Sequence, residues 1–149
     1  MQHSDLKTLV DADRGMISRE IFTSPAIYKR ELESLFTRTW LFVGHESLIP
    51  NPGDFFTSRM GEESVILARD KAGQVHVFLN SCRHRGMKVC RYESGNTDLF
   101  TCPYHAWAYD TDGSLRGVPH DKLIYDGGID RSQWSLIKVA HLALYKGTV

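Results

Sequence analysis

The chain has 149 residues, of which 42% are hydrophobic and 24% are charged, which allows one domain, or one domain and a fragment of another. Eighteen basic and eighteen acidic residues give zero formal net charge, so the charge balance does not indicate nucleic acid or an anionic membrane as a partner. No apolar run approaches the roughly 18 residues that span a bilayer. The N-terminus lacks the apolar core of a signal peptide.

The first 38 residues predict a helical segment. Residues 1 to 22 are polar and weakly patterned, and Ser24 can cap a helix that has Pro25 at its first position. The apolar residues that follow recur at helical spacing and predict one stripe packed on a core: Tyr28, Leu32, Leu35, Phe36 and Trp40.

After this helix the sequence changes to short strand-like runs separated by turns. The runs cover residues 41–47, 54–60, 64–70, 74–80, 99–102 and 106–110. Turn residues at 70–73 and 111–113 punctuate them. Residues 118–135 predict an irregular loop, and strand character resumes over 135–149. The sequence therefore predicts a mainly β chain, a small antiparallel β domain with an N-terminal helical segment.

Two cysteines and two histidines form the pattern C-x-H, seventeen residues, then C-x-x-H: Cys82, His84, Cys102 and His105. Two thiolates and two imidazoles are the ligands of a Rieske [2Fe–2S] centre, in which the imidazoles replace thiolates on one iron. We expect the cysteines to bind one iron and the histidines the other, so that two loop tips clamp the cluster. Because this site is less negative than an all-cysteine cluster, it should accept an electron at a higher potential.

A Cys₂His₂ zinc site uses the same atoms and is the rival interpretation. Structural zinc sites usually begin with C-x₂₋₄-C and end with H-x₃₋₅-H, whereas here each pair is mixed. If two of the three cysteines are ligands, only Cys90 remains. No disulfide framework is then possible, which favours a reducing cytoplasm, and Cys90 is expected to be a small buried hydrophobe.

The chain resembles the N-terminal part of the large (α) subunit of Rieske non-haem iron aromatic-ring-hydroxylating oxygenases, which include the benzoate, biphenyl and naphthalene dioxygenases. The resemblance covers nearly the whole chain. It is carried by the stretches REIF (19–22), WLFVGHESLIP (40–50), PGDFF (52–56), NSCRHRGM (80–87), FTCPYHAWAYDTDG (100–113) and GVP (117–119).

By this resemblance the two histidines bind through Nδ1 and Trp107 packs beside the cluster. Ala106 departs from the family, which usually has glycine there, and would strain its loop if that position needs a glycine's backbone angle. The resemblance also implies a Rieske domain over 39–138, the start of a truncated catalytic domain at 139–149, and an N-terminal segment, 1–38, that packs with that domain.

The family's catalytic domain holds a mononuclear Fe(II) on two histidines and a carboxylate. The histidines outside the two loops form no convincing triad of this kind: His3, His45, His76, His120 and His141. The resemblance therefore implies that the chain alone is not a competent enzyme, and that it passes electrons to an iron that hydroxylates an aromatic ring.

Expected partners are a reductase and/or a ferredoxin fed from NADH, the catalytic domain of its own or a neighbouring α subunit, and a possible β subunit. The full-length protein would form a trimer-based homo- or hetero-oligomer. The alternative is a stand-alone Rieske ferredoxin, a carrier without catalysis of its own.

Several residues flank the predicted ligands. Arg83, Arg85 and Lys88 crowd the first loop and either attract an acidic electron donor or are simply solvated and paired within the domain. Rieske proteins of respiratory complexes have a disulfide where this chain has Met87 and Tyr104, and a serine where it has Trp107. Fewer hydrogen bonds to sulfur predict a potential at the low end of the Rieske range.

Overall fold

The structure, a computed structural model, describes residues 6–126 and 128–149. It divides the chain into two compact units, Met1–Leu41 and Phe42–Val149. The boundaries predicted at residues 38 and 138 stay predictions, and the part of the N-terminal segment at residues 1–5 lies outside the described residues.

The first unit contains a short hairpin and a helical stretch. Strands β1 (Val10–Asp11) and β2 (Met16–Ile17) pair antiparallel, and two helices follow, α1 (Glu20–Thr23) and α2 (Pro25–Glu31). Helix α2 runs directly into one π-helical turn, Leu32–Phe36. The hairpin was not predicted, because two-residue strands leave no alternating pattern to detect.

The start of α2 is confirmed, with Ser24 at the N-cap and Pro25 at the first turn, although the Ser24 side chain makes no capping bond. The prediction that the apolar stripe packs on a core is wrong within this unit. Trp40 lies beyond the helix and is 73% exposed, and Ile27 is the buried residue of α2. The rings of Tyr28 and Phe36 still meet edge to face across the π-helical turn, with centroids 6.5 Å apart. Three of the five stripe residues are nevertheless exposed: Tyr28, Leu35 and Trp40.

The second unit is built on a four-stranded antiparallel sheet with the strand order β5-β4-β3-β6. Its strands are β3 (Asp54–Met60), β4 (Glu63–Arg69), β5 (Val75–Leu79) and β6 (Ser94–Asn96). The first three were predicted. The sequence Ser-Gly-Asn of β6 has the composition of a turn, and only its pairing with β3 makes it a strand.

A second, three-stranded antiparallel sheet has the order β7-β8-β9, with β7 (Leu99–Thr101), β8 (Ala108–Asp110) and β9 (Leu115–Gly117). The predicted turn between β8 and β9 is present. Gly113 in this turn has φ 88°, and a Cβ there would lie 2.5 Å from the ring of Phe78. Only glycine fits this position, because the neighbouring atoms belong to a fully buried aromatic ring.

Three segments differ from their predictions. Residues 41–47 form no ladder strand; Val43 and Gly44 instead hydrogen-bond Val149, and a 3₁₀ helix occupies Glu46–Leu48. The predicted irregular loop at 118–135 contains helix α3 (Asp121–Ile124) and a 3₁₀ helix at Arg131–Trp134. Residues 135–149 form only isolated bridges. In each case long-range partners that the local sequence does not specify decide the backbone conformation.

Apolar side chains cover both faces of the four-stranded sheet. Ile66 and Phe78 lie in one core, whereas Val65, Leu67 and Val77 lie in the other. The mainly β, antiparallel fold class is therefore confirmed. Among the described residues, no helix combines the length and the apolar character needed to cross a membrane.

Candidate metal centre

Cys82 and His84 lie on loop 1 (residues 82–87), which follows β5. The Cys82 N–H donates to the carbonyl of Met87 at 2.8 Å, and the Gly86 N–H donates to the carbonyl of Cys82 at 2.8 Å. Gly86 has φ 71°, the left-handed conformation that closes such a tight turn. Loop 1 is thus a compact turn that presents a cysteine at its base and a histidine at its tip.

Loop 2 (residues 102–107) connects β7 to β8 and repeats the same turn. The Cys102 N–H donates to the carbonyl of Trp107 at 2.8 Å, and the Ala106 N–H donates to the carbonyl of Cys102 at 3.0 Å. Ala106 has φ 56° and occupies the position that Gly86 holds in loop 1. The predicted strain at Ala106 is therefore confirmed, because the left-handed region costs a residue with a Cβ about 1–2 kcal/mol.

The two cysteines meet at the bottom of the site. Cys82 and Cys102 are 3% and 2% exposed, and both are free thiols close enough to interact with each other. Burial raises the pKa of the Cys82 thiol above its ordinary value. A pair of adjacent, buried and unoxidised thiols is suited to a metal, whose charge would stabilise the thiolates that burial alone disfavours.

The two histidine rings meet at the top of the site, with centroids 4.6 Å apart. His84 is partly buried and His105 is exposed. The Nδ1 of His84 is buried and has no hydrogen-bond partner. Burial, followed by the charges of His105 and Arg85, lowers the pKa of His84 and favours its neutral, metal-binding form. Since buried polar atoms are almost always satisfied, this orphaned nitrogen fits a missing metal bond.

Aromatic rings fix the orientation of both imidazoles. Trp107 stacks on His84 with centroids 5.1 Å apart and planes 7° from parallel. Tyr104 stacks on His105 at 3.8 Å. The edge of Trp107 in turn meets Trp134, whose ring lies in the segment predicted as an irregular loop. Both histidines are therefore held by packing before any metal binds.

The three cations of loop 1 and its flank have different surroundings. The Arg83 guanidinium lies 5.7 Å from the centroid of Trp134, and its Nε is buried without a partner. Arg85 and Lys88 are exposed. None of the three makes an ion pair with a carboxylate in the described part of the chain. Arg83 thus packs inward, while Arg85 and Lys88 leave uncompensated positive charge at the surface.

Tyr109 belongs to the site and was not predicted. It is fully buried, its hydroxyl oxygen accepts the Arg83 N–H at 3.0 Å, and it lies 3.3 Å from Cys82 Sγ. Once the thiol is ionised, the hydroxyl can only donate to the sulfur. Alternation along β8 places Tyr109 on the same face as Trp107, and a buried tyrosine needs a hydrogen-bond partner. That reasoning could have identified it from the sequence.

The four predicted ligands are brought together as two pairs. Among residues 6–126 and 128–149, no three histidine, cysteine, aspartate or glutamate side chains converge on a single metal position. A structural zinc site needs four ligands around one ion, whereas a [2Fe–2S] centre of this kind needs two protein ligands on each of two irons. The donor set and its pairing fit the cluster.

Comparison with known proteins gives the same result. The family model for the Rieske [2Fe–2S] domain matches residues 39–126. The α subunit of benzene 1,2-dioxygenase from Pseudomonas putida is 46% identical over 98% of this chain and 32% of its own length. The α subunit of biphenyl 2,3-dioxygenase from Rhodococcus jostii (strain RHA1) is 45% identical over 98% of this chain and 31% of its own. The chain therefore spans about a third of the length of these relatives.

The solved structures agree. Naphthalene 1,2-dioxygenase from Rhodococcus sp. bound to indole superposes with a TM-score of 0.84 at 43% identity, covering 89% of this chain and 30% of that one. The segment matched by the family model contains both ligand loops and more than half of the chain. The chain belongs to the Rieske [2Fe–2S] domain family.

Proposed function

We propose that the thiolates of Cys82 and Cys102 hold one iron of a [2Fe–2S] cluster, and that Nδ1 of His84 and of His105 hold the other. The observation that carries this proposal is the buried, unpartnered Nδ1 of His84, on a ring 4.6 Å from that of His105. When bound, the cluster supplies a one-electron couple whose potential lies above that of an all-cysteine cluster.

The surrounding residues keep water from the cysteines, order the ligands and place charge beside the site. The buried cysteines are kept from water, and Tyr109 orders Cys82 and the backbone beside it. Trp107 and Tyr104 hold the two imidazole rings at fixed angles. The exposed His105 forms the outer edge of the site, where an electron can enter or leave without crossing the core. Arg85 places positive charge beside that edge.

Metal and sulfide analysis of the chain, purified without oxygen, tests the ligand assignment. We expect two irons and two sulfides per chain, and a paramagnetic resonance signal on reduction with a lower average g than an all-cysteine cluster gives. Cys82→Ala and Cys102→Ala should abolish the cluster, whereas Cys90→Ala, which removes the other buried thiol, should retain it. Stoichiometric zinc after expression with ample iron would contradict the assignment.

For the whole protein we propose the electron-entry portion of an oxygenase α subunit. The α subunits of benzene and biphenyl dioxygenases match nearly all of this chain, which favours this function over a stand-alone ferredoxin. Electrons would come from NADH through a reductase and/or a ferredoxin. They would go to a mononuclear iron in a catalytic domain of its own or a neighbouring α subunit, with a possible β subunit in a trimer-based oligomer.

Reduction of the isolated chain tests whether it accepts electrons without itself hydroxylating an aromatic ring. With NADH and a matching reductase, the cluster should be reduced and slowly reoxidised by air, and no hydroxylated product should form from benzene or biphenyl. Product formation by the chain itself would place oxygen chemistry within these 149 residues and would overturn the proposal. A cytoplasmic location is also proposed, and the three free thiols support it: Cys82, Cys90 and Cys102.

A further inference from the structure

The two ligand loops differ in the backbone pairing of the segments that flank them. Behind loop 2, the pairing of β7 with β8 continues directly from the turn, with Thr101 opposite Ala108 and Phe100 opposite Tyr109. A regular backbone ladder therefore holds both ends of loop 2. Behind loop 1, no such ladder exists among the described residues, because the chain from Lys88 to Glu93 forms no strand.

A side chain occupies the place of the missing ladder. Asn80 Nδ2 donates to the carbonyl of Cys90 at 2.7 Å, and Asn80 Oδ1 accepts the N–H of Cys90 at 2.9 Å. Both backbone polar groups of Cys90 are thus satisfied by one carboxamide, as a neighbouring strand would satisfy them. Asn80 is 4% exposed, so water is not available to replace either bond.

Asn80 is itself anchored to the sheet. Its backbone N–H donates to the carbonyl of Ser64 at 2.8 Å, which extends the pairing of β4 and β5 by one residue. Its Nδ2 also lies 3.3 Å from Ser64 Oγ. The side chain therefore connects a rigid strand position at the start of loop 1 to the returning chain ten residues later.

We propose that Asn80 is the positioning residue of loop 1, a side-chain clamp that holds Cys82 and His84 in register with the ligands of loop 2. The inference rests on the proposed ligand role of those two residues. Without the clamp, both polar groups of Cys90 lose their partners in a buried position. Loop 1 then keeps the hydrogen bonds of its own turn and of Tyr109, and the stacking of His84 on Trp107. Loop 2 is unaffected, since its backbone ladder does not involve Asn80.

Substitutions of Asn80 can remove both of the bonds to Cys90 or only one of them, so their effects can be graded. Asn80→Leu has a similar volume and removes both bonds. Asn80→Asp keeps the acceptor for the Cys90 N–H but loses the donor to the carbonyl. Val77→Ala is the matched control, because Val77 is 2% exposed on β5, which ends one residue before Asn80, but packs in the core that does not contain the cysteines.

Cluster release measures the effect. The purified chain would be mixed with an iron chelator, and bleaching of the visible absorbance followed. We expect Asn80→Leu to release iron at least about tenfold faster than the parent, Asn80→Asp to be intermediate, and Val77→Ala to match the parent once both are compared at equal distance below their melting temperatures. Equal release from Asn80→Leu and Val77→Ala would overturn the proposal.

Two further measurements separate positioning from general destabilisation. Pulsed paramagnetic resonance resolves the nitrogen couplings of the two histidines, and in Asn80→Asp the coupling of His84 should change or broaden while that of His105 stays fixed. Equal changes at both histidines would overturn the proposal.

Hydrogen exchange of the Cys90 amide in the purified chain provides a test that does not depend on iron. The amide should be protected in the parent and in Asn80→Asp, and should exchange at least about tenfold faster in Asn80→Leu. If the chain proves to hold zinc, the proposed cluster fails while this amide still reports on the clamp. Unchanged protection in Asn80→Leu would overturn the clamp alone.

Discussion

Loop 1 and loop 2 are the same turn set in two different surroundings. Each has a cysteine at its base and a left-handed residue four positions later, and each closes with a bond from the cysteine N–H to the residue after that. Loop 2 is the end of a β hairpin, whereas loop 1 depends on Asn80 and Tyr109. Equal turns therefore do not imply equal support.

The loops also differ in the surface they present. Loop 1 and its flank expose Arg85 and Lys88, whereas loop 2 presents Tyr104 and His105. The cationic surface suits the encounter with an acidic protein, while the exposed imidazole suits the transfer itself. This division suggests that docking and electron entry can be disturbed separately.

Charge reversal on loop 1 should give the largest effect. The double variant Arg85→Glu, Lys88→Glu should slow reduction by an acidic donor protein about tenfold or more at low salt, because electrostatic steering is lost. Stopped-flow reduction measures the rate, and added salt should shrink the difference. Arg59→Glu, an exposed arginine on β3, is the control. If the double variant is reduced as fast as the parent and the Arg59→Glu control, the donor docks elsewhere.

Removal of the Tyr109 hydroxyl should lower the reduction potential. The hydroxyl lies 3.3 Å from Cys82 Sγ, and a hydrogen bond there stabilises the reduced, more negative centre. A difference of about 1 kcal/mol between the two redox states corresponds to roughly 40 mV for one electron, so Tyr109→Phe should lower the potential by about that amount.

Tyr125→Phe is the control for this variant, because the Tyr125 ring also packs near Trp107, with centroids 6.5 Å apart. Protein-film voltammetry measures both potentials. If Tyr109→Phe leaves the potential unchanged, the hydroxyl serves only to accept the Arg83 N–H. The potential would then be low because the serine and the disulfide are missing, and Tyr109 would have no part in setting it.

Substitution of the residue with a positive φ should change the protein's stability in opposite directions in the two loops. Ala106→Gly should stabilise the protein and Gly86→Ala should destabilise it, each by about 1 kcal/mol, because only glycine adopts a positive φ without strain. At Gly86 the added Cβ would meet only Ser81 Oγ, at 3.8 Å, so conformational strain and not collision is measured.

Thermal unfolding of the two variants measures these differences. Gly117→Ala serves as the reference, since a Cβ at Gly117 meets nothing within 4 Å and its φ is not positive. Changes of the same sign in both loops would mean that the two turns are not equivalent.

Acid should weaken the turns that contain Asp70 and Asp112, which lie at the ends of β5 and β8 opposite the ligand loops, and this effect should be the smallest. Burial alone would raise the pKa of Asp70, but bonds from His76 and two backbone amides outweigh it and leave that pKa below its ordinary value. At Asp112 burial is likewise outweighed, by bonds from Ser114, and the pKa is lowered. A lowered folded-state pKa stabilises the protein above the unfolded-state value, and that stability is lost as pH falls through the folded-state value.

Urea unfolding at about pH 6 and about pH 3 measures this loss. Asp70→Asn and Asp112→Asn should each reduce the dependence of stability on pH, relative to the parent. Asp126→Asn, which removes an exposed carboxylate, is the reference. An unaltered dependence in both test variants would assign acid sensitivity to other carboxylates.

Much of the site was predictable because its chemistry is local. Two cysteine–histidine pairs at short spacing define two tips, and the alternating strands beside them define the sheets that carry the tips. Even the strain at Ala106 followed from comparing it with the glycine that the family usually has. These inferences need only neighbouring residues.

The parts that could not be predicted depend on contacts between distant residues. Asn80 reaches Cys90 through both polar atoms of its carboxamide, ten residues along the chain. Strand β6 exists only because β3 pairs with it. In each case the residue's type permits several roles, and the fold selects one.

The spacing of the two cysteines has a consequence for the unfolded chain. Cys82 and Cys102 are twenty residues apart and follow strands of different sheets. Iron bound by both would act as a cross-link, and closing a segment of this length reduces the entropy of the unfolded chain by the equivalent of about 3 kcal/mol. Oxidative loss of iron would then remove this cross-link as well as the redox centre. The segment from Cys82 to Cys102 would become the preferred site of proteolysis.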